Sequence, residues 1–137
     1  MKYFKKEKAY PNEAFIQEAI EKYFLNNGFT VEKDGQIDLI AEKANVKWIV
    51  EAKGATSQIT VDFNTCIGQL VKSMTTPLTN YAIALPNEEK YKNQSMKLPD
   101  YFRVNNNLHI IIVDKNAQIH IIKPNEDIKD KWDEFKL

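Results

Sequence analysis

The segment "WIVEAKG", residues 48–54, sets Glu51 and Lys53 two positions apart inside a run that otherwise reads as a buried strand. Side chains two apart on a strand leave the same face, roughly 6 to 7 Å from each other. A carboxylate and an ammonium so placed are aimed at one site. A second strand-like run, "QIDLIAE", carries Asp38. If the two strands are neighbours, Asp38 comes beside Glu51, and two carboxylates at that range repel unless a proton or cation lies between them. A divalent ion is the simplest resolution, and hard oxygen donors with open positions suit Mg2+ or Mn2+, which keep waters and accept phosphate oxygens. Lys53 could then orient or help deprotonate a water, or neutralise charge on a pentavalent phosphate. Together these groups describe phosphodiester hydrolysis. The competing reading is a charge-paired group on a solvated sheet face. The apolar setting of "IDLIA" and "WIVEA" weighs against it, because unpaired charges in buried strands are costly.

Several elements must position these groups. From Pro11 to Asn27, Phe15, Ile16, Ala19, Ile20, Tyr23 and Phe24 recur at helical spacing, with Asn27-Gly28 as a stop signal. At 100° per residue, Glu13 lies roughly 70° from the centre of that apolar stripe and can reach inward, whereas Glu18 faces nearly opposite. Glu13 is therefore a candidate further acid at the metal, directly or through water. Next come "FTVEKDG", "QIDLIAE" and "VKWIVEAK", three short β-branched and aromatic segments separated by "DG" and "EKAN", which predict a meander. Asp62 or Asn64 would cap a helix carrying Ile67, Leu70, Val71 and Met74, closed by Pro77. "NYAIALP" reads as a buried strand. Residues 87–106 are polar and contain Pro99, predicting a broken helix or a long, mobile loop. "LHIIIV" and "QIHIIK" around "DKNA" predict a hairpin, and Ile128, Trp132 and Phe135 a short last helix. Strands that first run together and are then joined through a helix make an α/β fold: an αβββαβ core whose mixed central sheet is flanked by helices, with a C-terminal hairpin.

At 137 residues the sequence predicts one domain, spanning 1–137. With 43% hydrophobic and 28% charged residues the composition excludes a disordered chain. The basic start "MKYFKKEKAYPNE" leads into no apolar stretch, so neither a secretory signal nor a membrane span is expected, and the expected location is the cytoplasm. Cys66, the only cysteine, excludes an internal disulfide and reads as a small buried hydrophobe on a helix. Nineteen basic and nineteen acidic residues cancel, so overall charge does not announce a nucleic-acid binder. Lysines do cluster, at Lys2, Lys5, Lys6 and Lys8, and more loosely with Arg103 at Lys90, Lys92 and Lys97.

Asp38, Glu51, Ala52 and Lys53 resemble the signature of the PD-(D/E)xK nuclease superfamily, the restriction-endonuclease-like fold. The helix with Glu13 and the stretch "NNGFTVEKDGQIDLIA" are similar to the start of archaeal Holliday-junction resolvases and of Mrr-type restriction endonuclease domains. The resemblance covers roughly residues 10 to 85. It implies an αβββαβ core, Mg2+ dependence with Mn2+ as a substitute, and DNA as substrate. It implies Asp38 and Glu51 as metal ligands, Lys53 as the catalytic lysine, Glu13 as an accessory helix acid and the Ala52 carbonyl as a further ligand. Ile37 stands where the nominal proline would be. Gln69, in "DFNTCIGQL", resembles a glutamine that several lineages present from the helix after the lysine strand, although it shares a polar stripe with Thr65, Lys72 and Thr76. "ITVDFNTCIGQL" is also similar to small stand-alone members linked to mobile elements.

His109 and His120 fall on the predicted hairpin and, with "DKNA" as its turn, would share a face, but no third metal ligand accompanies them. No phosphate-binding glycine loop, Cys/His zinc spacing or serine nucleophile motif is present. Two functions remain: a metal-dependent DNA endonuclease, or a binding and assembly module that keeps the acids and works with a partner subunit on DNA. A cut through both strands of a duplex calls for two sites, which a two-fold homodimer would supply, whereas a nick needs one.

Overall fold

The computed structural model describes residues 9–35 and 37–135, so the lysines at positions 2, 5, 6 and 8 lie outside the described residues. Helix α1 (Glu13–Asn26) buries Ile16, Ala19, Ile20 and Phe24, whose spacing puts all four on one stripe. It stops where Gly28 takes φ +84°, a left-handed conformation that glycine adopts at no steric cost. Strands β1 (Thr30–Asp34), β2 (Ile37–Lys43) and β3 (Val46–Ala52) form the antiparallel meander read from the sequence.

Helix α2 (Ile59–Lys72) then carries the chain across to β4 (Asn80–Pro86), which lies parallel to β3. Two short helices, α3 (Glu89–Met96) and α4 (Asp100–Asn105), lead to β5 (Leu108–Val113), parallel to β4. An antiparallel return strand, β6 (Ile119–Ile122), and helix α5 (Ile128–Glu134) complete a six-stranded mixed sheet in the order β1-β2-β3-β4-β5-β6.

Helices cover both faces of this sheet, and the two coverings differ. Against α1 lie Leu39, Ala41, Val50, Ala52, Ala82 and Ala84, mostly small side chains that let the helix sit close. The opposite face presents Ile40, Ile49, Ile83, Leu85, Ile110 and Ile112 to Phe63 and Leu70 of α2, Tyr91 of α3 and Trp132 of α5. Among the described residues no helix is long and apolar enough to cross a membrane.

Several sequence expectations meet the structure differently. Helix α2 begins at Ile59, so Asp62 falls in its first turn, where its carboxylate accepts the Thr56 hydroxyl, and Asn64 lies further inside; neither is the cap. The helix also ends before Pro77. Of the two readings of residues 87–106 the structure keeps the broken helix, as two helices with Pro99 the N-cap residue of the second. His109 pairs with Ala82 and His120 with Ile112, residues of opposite faces, so the two imidazoles cannot share a metal. Of the second basic group, Arg103 is buried against backbone carbonyls and Lys92 is paired with Asp133 at 2.5 Å.

Candidate active site

The β2–β3 ladder pairs Leu39 with Val50, and one further step in the same register sets Asp38 opposite Glu51. On its other side Glu51 pairs with Ile83 of β4, which places it on the sheet face covered by α2 and α3. Glu51 is 1% exposed, and its Oε1 has no hydrogen-bond partner among the described residues. Burial, and then the Asp38 carboxylate beside it, push its pKa up to about 8, while the Asp38 backbone and the Lys53 ammonium pull weakly the other way. With no cation present, Glu51 therefore keeps a proton at neutral pH.

Asp38 is tightly held. Its Oδ2 accepts the backbone N–H of Ala52 at 2.7 Å and its Oδ1 accepts the Gln17 side-chain amide at 3.1 Å. The same amide reaches Glu13 Oε2 at 3.3 Å. Glu13 also faces Lys53, with 3.8 Å between Nζ and Oε1. Partial burial raises the Glu13 pKa, and Lys53 offsets part of that rise. One glutamine thus ties the helix acid to the strand acid, and the helix acid in turn faces the lysine.

Gly54 explains how a helix on one face reaches a carboxylate on the other. A Cβ at this position would stand 2.2 Å from the Glu13 backbone nitrogen, so only glycine lets the end of β3 press against the first turn of α1. The Ala55 N–H donates to the Pro11 carbonyl at 2.8 Å, and the buried Tyr91 hydroxyl donates to the Gly54 carbonyl at 2.7 Å. The turn that follows Lys53 is clamped from both sides. Asn12, Glu13, Ala14 and Gln17 line an open cleft of about 360 Å³ beside it.

The donors suit a hard divalent ion. Among the described residues no group of three or more His, Cys, Asp or Glu side chains is arranged to hold a metal. Mg2+, however, is commonly bound through one or two carboxylates plus substrate oxygens and water. Two adjacent carboxylates, one with an unpartnered buried oxygen, and the backbone carbonyl of Ala52 meet that pattern. Glu13 stands one hydrogen bond away, joined to Asp38 through Gln17. Gln69 is not drawn in: its half-buried side chain makes no hydrogen bond to Glu13, Asp38, Glu51 or Lys53, and its carbonyl accepts the Ser73 hydroxyl at 3.3 Å. Cys66 is fully buried, and burial pushes its thiol pKa up, as suits an inert core residue.

Gln17, Gly54 and Tyr91 escaped the sequence reading. For Gln17 a signal existed, because residues four apart on a helix are surface neighbours and Gln17 follows Glu13 by four.

An α/β fold with a six-stranded mixed sheet, helices on both faces, and an acid pair followed by a lysine where one parallel strand ends defines the class of this molecule. Within it, the chain resembles an XisH family protein from Nostoc punctiforme PCC 73102, at TM-score 0.56 and 18% identity over 77% of this chain and 95% of that one. It also resembles an FdxN element excision controlling factor protein from Anabaena variabilis, at TM-score 0.57 and 18% identity over 80% of this chain and 98% of that one. The protein is a distant structural relative of both, and the likeness is one of fold. No family model and no curated protein matches the sequence.

Proposed function

We propose that the protein is a metal-dependent DNA endonuclease of the PD-(D/E)xK kind. One observation carries the reading: a buried glutamate with an unpartnered oxygen lies against a second carboxylate, with a lysine two residues on. A strand that had only to pack would carry an apolar residue there, as Ile49 and Ile83 do beside it.

Asp38, Glu51 and the Ala52 carbonyl would hold Mg2+, for which Mn2+ can substitute. Such an ion, when bound, supplies a water of lowered pKa and polarises a phosphoryl oxygen. Lys53 presents an ammonium to the non-bridging oxygens of the phosphate, where negative charge grows as water adds to phosphorus and one ester bond breaks. Glu13 keeps that ammonium directed at the site, and Gln17 keeps the Asp38 carboxylate in one orientation. DNA as the partner is supported by a structural relative named as an excision controlling factor.

A second reading, an assembly factor acting with a partner protein on DNA, is favoured by the number of internal partners in the site. Both Asp38 oxygens already accept hydrogen bonds, and Glu13 is paired with Lys53. A panel of labelled linear, branched and single-stranded DNAs, incubated with and without Mn2+, separates the two. The endonuclease reading expects cutting that needs the ion and falls by about 10² or more in Lys53→Ala and Asp38→Ala, with the circular dichroism spectrum unchanged. Normal cutting by those variants would overturn the site assignment. No cutting of any DNA by the wild type would favour the assembly factor.

A further inference from the structure

A second opening lies along the same rim of the sheet. Tyr10, Asn87, Lys115, Asn116, His120 and Phe135 line most of a cleft of about 440 Å³, a volume within the usual range for small-molecule sites. The strand register relates it to the acid pair. Glu51, Ile83, Ile110 and Ile122 form one row across β3, β4, β5 and β6, and His120 lies two residues from Ile122 on the same face. Glu51 and His120 are thus separated by three strand spacings, about 14 Å, and by about 7 Å along the strands. Tyr91 and Trp132 cover the sheet face between them. What joins the two openings is the chain itself: Tyr10 lines this one, and Asn12 and Glu13 line the one beside Lys53.

The cleft is built in advance. Asp114 accepts the backbone N–H groups of Asn116 and Gln118 through Oδ1, at 2.8 and 3.0 Å, and faces His120 Nε2 through Oδ2 at 3.0 Å. Asp114 also lines the cleft, with both carboxylate oxygens engaged by these groups. His120 also stacks on Phe135, with ring centroids 4.8 Å apart. Asn87 is fixed by Trp132, whose indole N–H donates to its Oδ1 at 2.7 Å, and its backbone N–H donates to the Tyr10 hydroxyl at 3.0 Å. Aromatic surface, two asparagine amides and the Lys115 ammonium converge on one space. These are the groups that stack on a base, pair with its polar edge and neutralise its phosphate. Among the described residues the cleft has no nucleophile and no second acid free to hold a metal, so it is suited to binding.

Resting on the endonuclease reading, we propose that this cleft receives an unpaired nucleotide of the same DNA strand whose phosphate lies at Asp38, Glu51 and Lys53. The substrate class is therefore DNA with a single-stranded segment near the cut, instead of a continuous duplex.

Fluorescence anisotropy in EDTA, where no metal-dependent cutting occurs, tests this with a short blunt duplex, the same duplex bearing an oligo-dT tail, and free dTMP. The tail should tighten binding by about tenfold, in line with one stacked base. Lys115→Ala and Asn116→Ala, in the exposed hairpin turn, should remove most of that gain while leaving blunt-duplex affinity and the melting temperature in place. His120→Ala should remove it with blunt-duplex affinity kept and a lower melting temperature, since its contacts with Asp114 and Phe135 are lost. A tail without effect on the wild type, or variants that keep its full effect, would overturn the proposal. So would dTMP binding that depends on His120 while the tail adds nothing, since the cleft would then be a free-nucleotide site. Because the readout is binding, a chain that shows the tail effect but never cuts would retain the subsite and lose the nuclease. A chain that cuts without any tail effect would do the reverse.

Discussion

Two titratable side chains are buried to the same degree in this molecule, and their surroundings are opposite. Arg103 and Glu51 are each 1% exposed. The Arg103 guanidinium donates to the Lys123 carbonyl at 3.3 Å, to the Glu126 carbonyl at 2.9 Å and to Asp100 Oδ1 at 3.2 Å, leaving only Nε without a partner among the described residues. It pins α4 to the segment between β6 and α5. Glu51 has an unpartnered oxygen and, beside it, a carboxylate of its own sign. A buried charge that the fold uses is met by acceptors the fold supplies. A buried carboxyl set beside a carboxylate gives up its own charge for a proton, and a cation can take that proton's place.

The largest effect expected from this contrast is on stability at the Arg103 end. Arg103→Ala removes the largest of the fully buried side chains and leaves two carbonyls unsatisfied, which should cost roughly 3 to 5 kcal/mol. In a domain of this size that lowers the melting temperature by roughly 10 to 20 °C. Arg103→Lys should rescue little, because one ammonium does not reproduce a planar fork that bridges separate carbonyls. A melting temperature within a few degrees of wild type would show that Arg103 is a bystander.

Glu51 should behave in the reverse sense and depend on pH. Its folded pKa, raised to about 8, lies above the unfolded value near 4.5, so the folded state binds the extra proton. The associated stability is fully present below about pH 4.5 and is lost as pH rises through 8, at no more than about 1.4 kcal/mol per pH unit. In EDTA, wild-type melting temperature should thus fall between pH 5 and pH 8 relative to Glu51→Gln, and the variant should be the more stable protein at pH 8. Mn2+ at pH 8 should recover the wild type and leave the variant unmoved. Parallel profiles for the two proteins would mean that Glu51 carries no unusual proton.

How much of this was legible depends on whether a feature is local. Asp38 and Glu51 could be placed side by side because a short turn joins two alternating strands, and that pairing follows from the pattern alone. The face of His120 could not. With "DKNA" as a four-residue turn, Gln118 would pair with Val113, and both histidines would share a face. The turn includes Gln118, Ile119 pairs with Val113, and the one-residue shift turns His120 over. Gly54 stood in the quoted motif, but its role comes from the first turn of α1, about forty residues earlier in the chain. Arg103 looked like surface charge because its partners belong to a segment some twenty residues later. The α2 boundary was misplaced because Asp62 satisfies Thr56 from within the first turn and so mimics a cap.

The smallest effect belongs to Gln17, which touches neither a phosphate nor an ion in the proposed site and acts only through Asp38 and Glu13. Gln17→Leu keeps the helix and removes the amide, but Asp38 retains its bond from the Ala52 N–H, so the carboxylate loses one of two restraints. Groups that orient a metal ligand typically contribute 10- to 100-fold in affinity, and the retained backbone bond puts this one at about tenfold. Calorimetric titration with Mn2+ should show that loss, with a matching fall in cutting and almost no change in melting temperature. Gln17→Glu is the sharper probe, because it is nearly the same shape and replaces a donor by a third carboxylate facing Asp38 and Glu13. If Gln17 orients by donation, the glutamate should be worse than the leucine in the absence of metal and should destabilise the fold as pH rises. If the two variants match each other and the wild type, then Asp38 is held by the backbone alone.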